Sequence, residues 1–310
     1  MQTRRLGDRT VSAIGLGAMP LSRPHHATGQ LPDRAQAIET VLAALDAGVT
    51  LIDTADSYGP DVDGFGHSEE LVAEALRKAG SPDVLVATKG GIQRDGAAWP
   101  ICGRPGYIRE AAYGSLSRLG VDVIDLYQHH RPDPDVPYDE TIGAFKELYD
   151  EGVVRAVGLS NANPAQIREA HAILGDALVS VQNQLSPSFR SSEPELDLCD
   201  ELGLAFLPWS PLGGMRHAHE LAADFAPFGR VAEAHGVSPH QVAIAWLLAK
   251  SPRVLPIPGA SRPASIRDSA EAVHVELTPE ELATLEQAEA LPELRERQRA
   301  ASAAGSWPAG

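Results

Sequence analysis

Aspartate, tyrosine, lysine and histidine stand just beyond apolar, β-branched runs in this sequence. Asp53 and Tyr58 follow one run in LIDTADSYG, Lys89 follows another in VLVATKGG, and His129 and His130 follow a third in IDLYQHHRPDP. A phenol has an ordinary pKa of about 10, too high for proton transfer near neutrality without help. A neighbouring ammonium favours the phenolate and lowers that pKa, and a carboxylate can hold the ammonium in place. An imidazole within hydrogen-bond reach orients a substrate oxygen and helps relay a proton. Such a set protonates an oxyanion or, in reverse, deprotonates an alcohol. It offers no nucleophile for acyl transfer, because Ser160 lies in GLSN and not in a Gly-x-Ser-x-Gly elbow.

Further polar groups follow the other apolar runs. Ser160 and Asn161 end VGLSN, Gln182 and Asn183 end VSVQNQ, Trp209 and Ser210 end AFLPWS, and Ser261 and Arg262 end LPIPGASR. Each alone has an ordinary explanation, such as a helix cap or a solvated charge. Their recurrence at matching positions requires elements that bring strand ends to one rim.

Those elements are legible as a rhythm. Strand-like runs at residues 12–19, 49–53, 84–88, 123–128, 154–159, 178–182, 205–209 and 254–257 alternate with helix-like stretches. The latter lie at 34–47, 69–78, 106–119, 138–151, 164–173, 193–201, 239–249 and 263–272. Asn163-Pro164 and Ser238-Pro239 read as helix starts, and Gly48, Gly80, Gly120, Gly152 and Gly203 as helix stops. The alternation predicts a (β/α)8 TIM barrel, with a doubly wound open sheet as the alternative. In the barrel, chemistry sits at the C-terminal strand ends, where these polar residues fall. One domain over residues 1–310 is expected, with an extra helix at 280–289 and a flexible tail at 292–310. A functional reading of the tail would fold Trp307 over the substrate mouth.

Composition narrows the function classes. The 310 residues hold 26 Lys and Arg against 42 Asp and Glu, a net charge of −16. That balance argues against a general nucleic-acid or anionic-membrane binder. With 43% hydrophobic and 22% charged residues, the chain reads as globular and not disordered. Cys102 and Cys199 have no CxxC spacing, which argues against a disulfide framework or a structural zinc site. No apolar leader or membrane-length run is present, so a cytoplasmic protein is expected. Asp61, Asp63, Asp133 and Asp135 could be read as metal ligands, but their turn-like sequences favour solvated loops. No metal is expected.

At these residues the sequence resembles the aldo-keto reductase superfamily. The matching pieces are DTADSYG, ATKGG, LSRLGVDVIDLYQHHRP, GVVRAVGLSN, VQN, SPLG and PIPG, in family order across nearly the whole chain. The wording is most similar to bacterial members. The resemblance implies a (β/α)8 barrel with an N-terminal β-hairpin and an NAD(P)H-dependent reductase of aldehydes and ketones. Tyr58 would be the general acid, Lys89 would depress its pKa, and Asp53 would pair with Lys89. His130, followed by Arg131-Pro132, would be the active-site histidine, while strand alternation turns His129 to the other face.

For the cofactor, the resemblance assigns Ser160, Asn161 and Gln182 to the nicotinamide carboxamide and Trp209 to its ring. Ser210, Pro211, Leu212 and Gly214 would line the pyrophosphate path, and Gly17 and Asp53 would lie beside the cofactor. Gly259, Ser261, Arg262, Ser265, Asp268 and Ser269 would form the adenosine end. There the family pattern weakens: Ser265 falls where an Arg is common, and Asp268-Ser269 replaces Glu-Asn. Arg262 and Arg267 remain to pair with a 2′-phosphate, so NADP(H) is favoured and NAD(H) stays open. Gly15-Leu16-Gly17 lacks the full dinucleotide fingerprint. Met19, Tyr58, Trp99 and His130 are expected around the substrate, with Trp99 shaping an apolar pocket for an aromatic or cyclic carbonyl compound. Packing of Trp99 against its own barrel is the alternative. Two other functions compete: an NADPH-binding sensor or auxiliary subunit with little turnover, and a metal-dependent hydrolase using His129, His130 and the aspartates.

Overall fold

Strands that each carry a helix on the way to the next bury both faces only in a barrel or a covered open sheet. The computed structural model describes residues 1–24, 29–60, 64–95, 98–214, 221 and 225–288 and has the barrel. Strands β1 (Thr3–Leu6) and β2 (Arg9–Ser12) form an antiparallel hairpin. Seven parallel strands follow in sequential order: β3 (Leu16–Gly17), β4 (Leu51–Asp53), β5 (Leu85–Gly90), β6 (Leu126–His129), β7 (Val157–Ser160), β8 (Leu178–Gln182) and β9 (Ala205–Phe206).

Residues 254–259 close the ring. Phe206 bridges Val254 on one side and Gly17 bridges Gly259 on the other, both parallel. Leu255 and Ile257 donate to the carbonyls of Phe206 and Pro208, while the carbonyls of Pro256 and Pro258 accept from Gly15 and Gly17. Pro256 and Pro258 have no N–H to return toward β3, so this eighth strand keeps only half a ladder on that side.

Two expected strands are corrected. The run 12–19 is two elements: Ser12 ends the hairpin, and only Leu16–Gly17 joins the barrel. The Ser12 hydroxyl donates to the Ile14 carbonyl at 2.7 Å and accepts from Thr50 N at 2.9 Å, turning the chain between them. The run 205–209 narrows to Ala205–Phe206, because Pro208 interrupts the pairing that resumes between Gln184 and Trp209.

The helices are α1 (Arg34–Asp46), α2 (His67–Lys78), α3 (Pro105–Leu119), α4 (Tyr138–Asp150), α5 (Pro164–Leu174), α6 (Glu193–Leu202), α7 (Ala226–His235), α8 (Pro239–Lys250), α9 (Pro263–Glu271) and α10 (Pro279–Glu286). Asn163 and Gln166 form a capping box on α5, as Thr278 and Glu281 do on α10. Helix α7 has no counterpart in the sequence reading. Its Pro227 and Gly229 look like breakers, but Pro sits in the first turn, and Phe228 packs edge-on against Trp246 of α8 at 6.0 Å. The expected extra helix is α10. Trp246 Nε1 donates to Glu286 at 3.0 Å and Arg190 donates to the Leu285 carbonyl at 3.0 Å, pinning it to the barrel wall.

The hairpin plugs the barrel floor. Leu6 and Val11 pack with Leu51, Leu85, Leu126, Leu207 and Leu255 inside the ring. Gly7 turns the hairpin at φ +59°, and a Cβ there would meet Val179 Cγ1 at 2.8 Å. Arg4 donates from Nη1 to the carbonyls of Ser251 and Val254 and from Nη2 to that of Leu248, satisfying the C-terminal end of α8. With the floor filled, the polar layer is confined to the opposite rim. Among the described residues, no helix is long and apolar enough to cross a membrane. The segment 292–310, with Trp307, and Asp61 and Asp63 lie outside the described residues.

Candidate active site

Asp53 ends β4 beside Ala87 of β5, and Lys89 stands two residues further along the same face. Lys89 Nζ donates to Asp53 Oδ1 at 2.5 Å, to the Thr54 carbonyl at 2.9 Å and to the Tyr58 hydroxyl at 3.4 Å. Lys89 is fully buried, and Asp53 is 3% exposed. A buried charge needs a partner, and this one has three. The second carboxylate oxygen of Asp53 accepts from Gln128 at 2.9 Å and from Gln182 at 2.7 Å. Gln182 gives its other N–H to Gln128 Oε1 at 3.2 Å. Gly158 of β7 makes room for this, since a Cβ there would lie 2.6 Å from Ser180 Oγ and 2.9 Å from Gln128 Cγ.

Tyr58 comes from the turn between β4 and α2, held through its carbonyl by Ser68 N at 3.0 Å. His130 follows β6, with its backbone N–H on the Gly90 carbonyl at 2.9 Å. The two rings meet edge to face at 5.7 Å. His129 lies on the other face, 5.5 Å from Phe145 and 5.8 Å from Tyr138. Parity thus separates the neighbouring histidines.

These groups open onto a cavity of about 470 Å³. Of the residues expected to touch cofactor, it is lined by Gly17, Asp53, Ser160, Asn161, Gln182, Trp209, Ser210, Pro211, Leu212, Gly214 and Gly259. All four expected substrate-pocket residues, Met19, Tyr58, Trp99 and His130, line it too. Asn161 and Ser210 hold left-handed backbone, φ +58° and φ +48°, just after the fifth and seventh barrel strands. Non-glycine residues there carry strain, which clusters at ligand sites. Asn161 is held by Nδ2 donation to the His130 carbonyl at 3.1 Å, and Trp209 Nε1 is buried with no partner among the described residues.

Burial raises the Tyr58 pKa, with Asp53 adding to the rise and Lys89 pulling the other way. Lys89 acts in the expected downward direction but opposes the rise without cancelling it. Lys89 itself is held above its ordinary value despite burial, by Asp53 and then Tyr58. Near neutrality the pair is therefore a neutral phenol beside an ammonium. Burial pushes His130 well below the ordinary histidine range, with Lys89 and Arg131 adding to the effect, so its ring is neutral. His130 Nδ1 has no partner among the described residues.

Residues 13–290 match the model of the aldo/keto reductase family. The chain belongs to that family. It is 35% identical over 286 residues to an uncharacterized oxidoreductase of Schizosaccharomyces pombe, covering 92% of this chain and 89% of that protein. A glycerol dehydrogenase from Gluconobacter oxydans superposes with a TM-score of 0.80 at 29% identity, over 92% of this chain and 94% of that one. An aldo-keto reductase from Klebsiella pneumoniae, solved in complex with NADPH, superposes with a TM-score of 0.76 at 28% identity, over 92% and 94%.

In this aldo/keto reductase the remaining expected residues lie away from the cavity wall. Ser261, Arg262, Ser265, Asp268 and Ser269 sit at the joint after the eighth strand and on α9. Asp268 already accepts from Ser238 Oγ and Gln241 Nε2, each at 2.8 Å. Ser269 is buried, Arg262 is exposed, and Arg267 lies 3.9 Å from Asp46. Among the described residues no group of three His, Cys, Asp or Glu is placed to hold a metal, and Asp133 accepts from the backbone of Gly103 and Asp135.

Sequence reasoning missed Gln128, Arg23, Arg131, Ile92 and Ile101. Gln128 was findable: the parity that turns His129 away puts Gln128 on the same face as His130. The loop residues Arg23, Ile92 and Ile101 carry no periodic signal.

Proposed function

We propose that this chain reduces an aldehyde or ketone to an alcohol by hydride transfer with NADP(H), with Tyr58 as general acid. The observation that carries this reading is the Lys89 ammonium 3.4 Å from the Tyr58 hydroxyl, itself anchored on Asp53 at 2.5 Å. When bound, the dinucleotide supplies the hydride. Neutral His130 donates a ring N–H to the substrate carbonyl and orients it beside Tyr58. Tyr58 gives its proton to that oxygen as charge develops there. Lys89, already charged, stabilises the phenolate left behind. Asp53 keeps Lys89 in place, and Gln128 and Gln182 keep Asp53 in place.

The strained Asn161 and Ser210 and the partnerless Trp209 Nε1 suit a wall built for a polar, flat ligand. Ser160, Asn161 and the carbonyl oxygen of Gln182 would hold a carboxamide, and Trp209 would offer its ring. Ser210, Pro211, Leu212 and Gly214 would border the diphosphate, with Gly17 and Gly259 allowing close approach. Ser261, Arg262, Ser265, Asp268 and Ser269 would take the adenosine end. Arg262 is exposed and has no ion pair among the described residues, which supports it as partner of a 2′-phosphate. The NADPH held by the Klebsiella pneumoniae relative supports the same preference.

Fluorescence titration with NADPH and NADH tests the cofactor assignment. Tighter NADPH binding that Arg262→Gln weakens supports it; failure to bind either nucleotide refutes it. Binding without turnover on a broad carbonyl panel would favour the sensor reading.

A further inference from the structure

Two guanidinium groups line the cavity with no counter-ion among the described residues. Arg23, from the loop after β3, and Arg131, next to His130, both line it together with Tyr58. Neither pairs with a carboxylate among the described residues, and Asp53, the one acidic residue among the described lining residues, has both oxygens occupied. Arg23 lies over the Trp99 ring at 4.7 Å, and Arg94 lies over the same ring at 4.3 Å. Arg94 is also tethered to the carbonyls of Ser57 and Gly59. Trp99 therefore carries two cations, and only one of them faces the cavity.

This arrangement is costly for the protein alone. Burial, and for Arg23 also the like charge of Arg94, disfavours the charged form of both lining arginines. A neutral aldehyde would offset nothing. The chain as a whole is at −16, so a cationic mouth is not a reflection of bulk charge. An anionic group in the cavity would supply the missing counter-charge, because guanidinium binds carboxylate and phosphate bidentately.

The strand order separates Arg131 from the adenosine and diphosphate ends of the cofactor. Arg131 follows the fourth barrel strand, across the ring from the eighth, where the adenosine end begins. Ser210 and Gly214, the proposed diphosphate border, follow the seventh. Arg23 follows the first strand but reaches toward Trp99, in the loop beyond the third.

We infer that the substrate is a carbonyl compound bearing an anionic group, a carboxylate or phosphate monoester, held by Arg23 and Arg131 while its apolar body packs on Trp99, Ile92 and Ile101. The inference rests on the reductase reading and names the substrate class of that site.

The test compares 4-carboxybenzaldehyde with its neutral methyl ester, using NADPH and the full chain. The free acid should be preferred by about tenfold or more in kcat/KM, mainly through KM. Arg131→Gln and Arg23→Gln should each shrink that preference, with the NADPH Kd held within about twofold. Wild-type inhibition provides a second measurement that needs no variant. Benzoate or phenyl phosphate should inhibit more tightly than benzamide, and the tighter anion names the substituent. Turnover without a preference for the acid, or anions no better than benzamide, overturns the inference and leaves the reductase standing. A weakened NADPH Kd with an unchanged preference also overturns it, by assigning the arginines to the cofactor. No turnover of either aldehyde overturns both readings.

Discussion

Gln182 Nε2 donates to Asp53 Oδ2 at 2.7 Å, joining the sixth barrel strand to the second across 129 residues of sequence. That bond places the rigidity of the catalytic pair in the barrel and not in the loops. Asp53 Oδ1 is committed to Lys89, so Oδ2 depends on Gln182 and Gln128. Gln182→Met keeps the volume and removes the donations to Asp53 and to Gln128. It should destabilise the fold by about 1–3 kcal/mol in urea denaturation. A loss near zero would mean that the glutamines do not hold the carboxylate.

Asp56 is fully buried, and among the described residues its carboxylate has no side-chain hydrogen-bond partner, with only the Ser57 backbone N–H opposing its rise from the main chain. Burial, then Glu69, pushes its pKa well above the usual carboxylate range. A raised carboxylate pKa works against the fold as pH climbs past the unfolded value, where the unfolded chain loses its proton first. Asp56→Asn should therefore be more stable than wild type at pH 7, with the advantage shrinking as the pH falls toward 4. Equal stability at pH 7 would require a partner for the carboxylate.

His129 is lowered to about 4 by burial. The unfolded histidine, near 6.5, takes up a proton first as the pH falls. Its contribution to stability is thus present above pH 6.5 and is lost between 6.5 and about 4. His129→Leu should flatten the stability profile in that window by up to about 1.4 kcal/mol per pH unit. An unchanged slope in denaturation at pH 6.5, 5.5 and 4.5 would place the titration elsewhere.

Lys89→Met removes the group that opposes the upward shift of Tyr58. The apparent pKa of the alcohol-oxidation limb should move up, with rates falling by about 10²-fold or more at neutral pH. The pH profile of oxidation reads both. A lower rate with an unmoved profile would leave Lys89 a structural role only.

The strand-end polar residues were legible because parity and the βα rhythm are properties of the chain itself. Lys89, His130 and Gln182 fall at strand ends for that reason. The first strand was overread because an apolar run does not record the side-chain bonds of Ser12 that break it. The closing strand was legible as an apolar run, although Pro256 and Pro258 limit its ladder. Arg23 escaped notice because its place depends on a Trp in another loop, a contact that no local pattern encodes. The direction of the Tyr58 shift also depends on burial, which motif spacing does not convey.

The central claim is that the Tyr58 hydroxyl supplies the proton. Tyr58→Phe keeps the ring against His130 and removes that hydroxyl. Single-turnover oxidation of NADPH should slow by about 10²–10⁴-fold, with NADPH binding retained. A variant that turns over within about tenfold of wild type would contradict the account.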